Sequence, residues 1–216
     1  MAKHLDLEEQ EQLAELKHFW NKWGNLISVL LIVVFGGIAA WNGWNWWQRH
    51  QGTQASALFE EVERAAQAKD LERIKRATAD IQEQYARTAY AQQATLLAAK
   101  AWHEAGQPDA ARSALAWVAG KARDPGYQAV ARLRLAALLA DQKSYDDALQ
   151  QLAGSMPAEF EPLAADRRGD ILLLQGKKAE AIAAYQKAWA GLAEQPEYRR
   201  IVEVKLASLG GEVAKS

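Results

Sequence analysis

No cysteine occurs in the chain's 216 residues. Disulfide scaffolds, thiolate zinc sites, iron–sulfur clusters and cysteine nucleophiles are thereby excluded. Compartment stays open, because a protein without thiols suits oxidising and reducing spaces alike. A surplus of either charge is also missing: 26 Lys and Arg face 27 Asp and Glu. A nucleic-acid-binding domain would carry a basic excess or stripe, and neither is present, so no nucleic-acid partner is expected. Histidine is rare: His4, His18 and His50 belong to the tail or to the margin of an apolar segment, and His103 stands alone. A lone helical histidine reads as a polar surface or groove residue. No His-x-x-x-His pair, Gly-rich phosphate loop or Gly-x-Ser-x-Gly elbow is found. Carboxylate pairs such as Glu60-Glu61 and Asp146-Asp147 fall on solvated faces or at helix starts, where negative charge suits the dipole. The sequence therefore predicts no enzyme, no cofactor and no metal.

What is present begins with tryptophan. Six of the nine Trp fall between Trp20 and Trp47. Between Lys22 and Arg49 no residue carries a formal charge, and the centre, Leu26 to Trp41, is almost wholly apolar. As a helix, Trp23 to Trp44 would span about 33 Å, which matches a hydrocarbon core of roughly 30 Å. Trp20 and Trp23 flank one end; Trp41, Trp44, Trp46 and Trp47 flank the other. Indoles favour the headgroup boundary, where one edge is apolar and the N–H meets water. The preceding segment carries Asp6, Glu8, Glu9, Glu11 and Glu15. A cleaved signal peptide has a short basic leader instead, so the run reads as an uncleaved anchor in the lipid bilayer. Gly36-Gly37 either admits a second helix or is merely tolerated. Lys3, Lys17, Lys22 and the α-amino group precede the run, against Arg49 and Arg64 after it. That bias places the N-terminus in the cytoplasm and, in a bacterium, the long C-terminal part in the periplasm. In the acidic tail, Leu5, Leu13, Leu16 and Phe19 share one side of a helix. The expected divisions are a cytoplasmic tail at 1–22, a transmembrane helix at 23–47, a linker at 48–56, a folded domain at 57–210 and a flexible end at 211–216.

The folded domain has no period-two runs of Val, Ile or Thr. Apolar residues recur three and four apart, as in Leu135, Leu138 and Leu139, which is a helical period. Three segments align with an internal repeat: Ala98 to Ala111, Leu135 to Ala148, and Arg168 to Ala181. Ala99, Ala136 and Gly169 are small where two helices would touch, and Trp102, Leu139 and Leu172 are large three residues on. Gly106 and Gly176 suit a turn needing positive φ, from which Lys143 departs. Leu58 to Ala68 and Leu71 to Tyr85 form a degenerate first repeat, and Glu197 to Leu209 a capping helix stopped by Gly210-Gly211. The fold class is all-α: one transmembrane helix, then a tetratricopeptide-like stack of three to four repeats with a cap.

In such arrays the first helix of each repeat lines a concave, protein-binding face. The alignment assigns to it Gln93, Leu96, Lys100 and His103, then Val130, Leu133 and Ala137, then Asp166, Asp170 and Leu173. A one-residue shift would instead move Leu96, Leu133 and Leu173 into helix packing. Charge reversal at Lys100 and Asp170 is expected to leave the fold intact, Gly169→Leu to destabilise it, and Lys143→Gly to be near neutral. The leading function is a membrane-tethered interaction module. The alternatives are a regulator working through the acidic tail, such as an envelope stress regulator, and an assembly factor for an envelope enzyme.

The order of acidic tail, span with a Trp-rich exit (Trp41 to His50) and Ala-rich repeats resembles the ancillary SecYEG translocon subunits, the YfgM-like family. Leu133-Arg-Leu-Ala136, Ala165 to Gly176 and Val204 to Leu209 carry the rest of the likeness. The resemblance implies an inner-membrane protein whose periplasmic repeats lie beside the Sec channel. It also implies partnership with a PpiD-type periplasmic chaperone and contact with translocating polypeptides.

Overall fold

The computed structural model describes residues 7–212, with side chains from residue 11. Leu5 of the tail stripe and residues 213–216 of the expected flexible end lie outside the described residues. Two compact units meet between Gln51 and Gly52.

The first unit is helical from Leu7 onward, within α1 (Leu7–Gln67). Among the described residues α1 is the one helix long and apolar enough to cross a membrane. Its apolar side chains point outward in every direction: Ile32 is 70% exposed and Phe35 64%. A helix apolar all round and unburied by its own chain suits lipid. At the second aromatic girdle the Trp44 and Trp47 rings lie 5.3 Å apart, and Trp46 stacks on His50. A Cβ added at Gly36 or Gly37 would meet nothing within 4 Å.

Residues 48–56, expected to form a linker, are helical. Nothing in that stretch breaks a helix: it lacks proline, and the lone Gly52 costs only about 1 kcal/mol relative to Ala.

The second unit contains the end of α1 and eight further helices: α2 (Leu71–Tyr85), α3 (Ala89–Glu104), α4 (Pro108–Lys121), α5 (Pro125–Asp141), α6 (Tyr145–Gln151), α7 (Glu161–Leu174), α8 (Lys178–Gly191) and α9 (Pro196–Ser208). A 3₁₀ turn, Ala158–Phe160, precedes α7, and no strand occurs among the described residues. Prolines open four of these helices, Pro108, Pro125, Pro162 and Pro196 lying in first turns, where a missing N–H costs nothing. Asp70, Thr88 and Asp124 cap α2, α3 and α5 by accepting backbone N–H groups.

The repeat shows most clearly in its turns. Positive φ occurs at Lys69, Gly106, Lys143, Gly176 and Gly210, at intervals of 37, 37, 33 and 34 residues. At each, the next residue's N–H bonds to a carbonyl five back: Asp70 to Ala65, Gln107 to Trp102, Ser144 to Leu139, Lys177 to Leu172 and Gly211 to Leu206. Each is a Schellman closure, which satisfies orphan carbonyls and turns the chain back. The expected degenerate repeat is thus a true one, with Lys69 in the strained position. Four helix pairs result, and α9 is a half-repeat ending in the same turn.

Alanine makes the core. Ala99, Ala111, Ala136, Ala148 and Ala181 are all nearly or fully buried. At the tightest place a Cβ on Gly169 would meet the Tyr185 ring at 2.5 Å, so only glycine lets α7 approach α8 there. The buried side chains fall into two clusters. One runs from α1 to α7, and a smaller one joins α7, α8 and α9.

Candidate protein-binding groove

The first helices α3, α5 and α7 carry every residue expected in the groove, but they do not form one continuous open face. On α3, Lys100 and His103 are exposed, and Lys100 makes only a loose, solvated ion pair with Glu104 at 3.7 Å. Gln93 is half-buried and donates to the Tyr127 hydroxyl, tying α3 to the start of α5. Leu96 is 7% exposed and belongs to the core, so it packs helices. Val130 and Leu133 pack partly buried against the same cluster, and Ala137 is half-buried.

Lys100, His103 and Ala137 come together in a recess of about 250 Å³ at the junction of α3, α4 and α5. Arg134 and Asp141 complete its rim. Sequence reasoning missed both. They lie three before and four after Ala137, which places them on the same side of α5, and that spacing could have found them.

At α7 the face is closed. Lys205 of α9 reaches both carboxylates, at 2.8 Å from Asp166 and 2.7 Å from Asp170. The Tyr198 hydroxyl donates to Asp166, and the Tyr185 hydroxyl to Asp170, both at 2.8 Å. Asp166 is only 3% exposed. Burial, then the bond to a carboxylate that needs its proton, pushes the Tyr185 and Tyr198 phenols well above their usual range. These aspartates hold the capping helix: Asp166 is buried and Asp170, though partly exposed, is engaged by Lys205 and Tyr185, so reversing Asp170 would break two bonds. The sequence could not reveal this, because Lys205 lies 35 residues away in a segment that no repeat position predicts. Leu173 remains 39% exposed at the end of α7. No group of three or more His, Asp or Glu able to hold a metal occurs among the described residues.

Helix pairs closed by a repeating turn, small residues at the contacts and a capping half-repeat define a tetratricopeptide-like repeat protein. A tetratricopeptide repeat-like domain model matches residues 17–211. The chain is similar to proteins named ancillary SecYEG translocon subunit in three bacteria. Identity is 33% with that of Neisseria gonorrhoeae, over 97% of this chain and all of the relative. It is 30% with that of Aggregatibacter actinomycetemcomitans, over 94% and 98%, and 29% with that of Haemophilus influenzae, over 84% and 89%. The chain belongs to the ancillary SecYEG translocon subunit family. No solved structure matches it significantly.

Proposed function

We propose that this protein is a non-enzymatic, membrane-tethered interaction module that associates with the SecYEG translocon. In this reading α1 crosses the inner membrane once, with the N-terminus in the cytoplasm and the repeats in the periplasm. The basic residues on the N-terminal side of the span support that orientation. The repeats receive newly translocated polypeptides and recruit a PpiD-type periplasmic chaperone to them. The observation that carries the proposal is the open first-helix face at α3 and α5, with the titratable groups that do converge, at α7, tied up in holding the capping helix. Helix-repeat surfaces of this kind bind other chains.

Two measurements test it. Full-length tagged protein, extracted from membranes, should bring down SecYEG and the chaperone. A reporter enzyme active only outside the cytoplasm, fused after Ser216, should be active. Absence of SecYEG from the purified material would overturn the association, and activity of a cytoplasm-only reporter would reverse the orientation.

A further inference from the structure

The recess between α3, α4 and α5 has a definite size and polarity. Leu115 and Leu138, each 5% exposed, form its floor, and Ala137 is a small wall. Its volume of about 250 Å³ falls below the range of roughly 300–1,000 Å³ usual for small-molecule pockets. One bulky apolar side chain fills such a space.

The charges around it are distributed unevenly. All four rim groups lie in the C-terminal halves of their helices: Lys100 and Arg134 stand about one and two turns before the ends of α3 and α5, and His103 and Asp141 in the last turns. Arg134 and Asp141 are seven positions apart, about 10 Å along α5. Arg134 has no ion-pair partner among the described residues, and Lys100 has only its loose contact with Glu104. Two exposed cations beside an apolar recess are complementary to a carboxylate next to the anchoring side chain. In the register of the repeat, the place held by Lys100 on α3 and Ala137 on α5 is held on α7 by Asp170. There Lys205 of α9 already supplies the opposite charge.

We infer that this recess anchors a polypeptide segment presenting one bulky apolar side chain with a neighbouring carboxylate. The inference rests on the interaction-module reading and names the chemistry of its client site. Aromatic or aliphatic anchors in a desolvated pocket carry most of the energy in such contacts. The rim charges mainly set orientation and on-rate, so binding weakens with added salt.

The test uses the full-length chain in nanodiscs and three short fluorescein-labelled Gly/Ser peptides. One has a central Phe flanked by Asp, the second has the same Phe flanked by Lys, and the third has Ala flanked by Asp. The first should bind at least tenfold more tightly than the other two, measured by fluorescence anisotropy. Ala137→Phe fills the recess and should weaken that binding at least tenfold, as should Arg134→Glu, whose side chain is exposed and whose melting temperature should not change. Equal binding of all three peptides, or binding unaffected by both variants, would overturn the inference. So would no peptide binding while SecYEG still co-purifies, an outcome that leaves the module reading standing. Loss of SecYEG co-purification from the wild type refutes that reading separately.

Discussion

The first-helix face is open at α3 and α5 and closed at α7, although the same repeat position occurs in all three. At α3 that position is Lys100, exposed and only loosely paired. At α5 it is Ala137, beside the unpaired Arg134. At α7 it is Asp170, held by Lys205 and Tyr185. A repeat array must hide its last apolar surface, and here a half-repeat does so with Val202 and Leu206, pinned in place by one cation on two carboxylates. The difference teaches that register assigns a residue to a face, whereas the end of the stack decides whether that face is available.

Breaking the closed end should have the largest effect. Gly169→Leu drives a side chain into the Tyr185 ring, so we expect a loss of ~3 kcal/mol or more. That corresponds to about 6–12 °C in melting temperature for a chain of this size. An unchanged melting temperature would refute the α7–α8 packing. Next, Lys205→Met strands the buried Asp166 without its cation. Because Lys205 itself is 30% exposed, a loss of about 2 kcal/mol is expected, below the full cost of breaking a deeply buried pair. Circular dichroism melting should show this loss while the α3–α5 face keeps its ligand.

Alkali should also act at the closed end. Tyr185 and Tyr198 ionise less readily folded than unfolded. The stability their protonated forms contribute is complete below pH 10 and is lost as the pH rises above it. The melting temperature should therefore fall between pH 10 and 11, less steeply in Tyr198→Phe than in wild type. Equal slopes would remove Tyr198 from the account.

A smaller effect compares the turns. Lys143 occupies a left-handed conformation that glycine fills at Gly106 and Gly176. Lys143→Gly should stabilise by roughly 0.5–1 kcal/mol, because relief of strain outweighs glycine's added chain entropy. That is more than the neutral effect expected from sequence alone, and chemical denaturation resolves it. Smallest of all, Lys100→Glu and Arg134→Glu on the open face should each change stability by less than about 0.5 kcal/mol. A larger change would show that this face is structural.

Much of this fold was legible in the sequence because its signals are local. The charge-free run marked the one described helix long and apolar enough to cross a membrane, and small-then-large spacing at Ala99 and Trp102, Ala136 and Leu139, and Gly169 and Leu172 located the helix contacts. The boundaries of α2, α7 and α9 fall within a few residues of their breakers. The helical course of residues 48–56 was missed because a short polar stretch without apolar periodicity looks the same in a linker and a helix. The site was half legible. Lys100, His103 and Ala137 line one recess, and their positions follow from the repeat. Asp166 and Asp170 do not join them, because their partners Lys205 and Tyr198 are distant in sequence and belong to a helix outside the repeat alignment. Leu96 turned inward, as a one-residue shift in register would have it.

The central claim is that the open first-helix face receives other chains. Photoreactive residues placed singly at Lys100 and Arg134, and at the exposed Arg112 and Lys187 of the second helices, test it within the full-length protein in cells. Crosslinks to SecYEG, the chaperone or translocating polypeptides should arise from Lys100 and Arg134 and be several-fold weaker from Arg112 and Lys187. Equal or stronger crosslinks from Arg112 and Lys187, at unchanged melting temperatures, would contradict the account and move the binding surface to the opposite face.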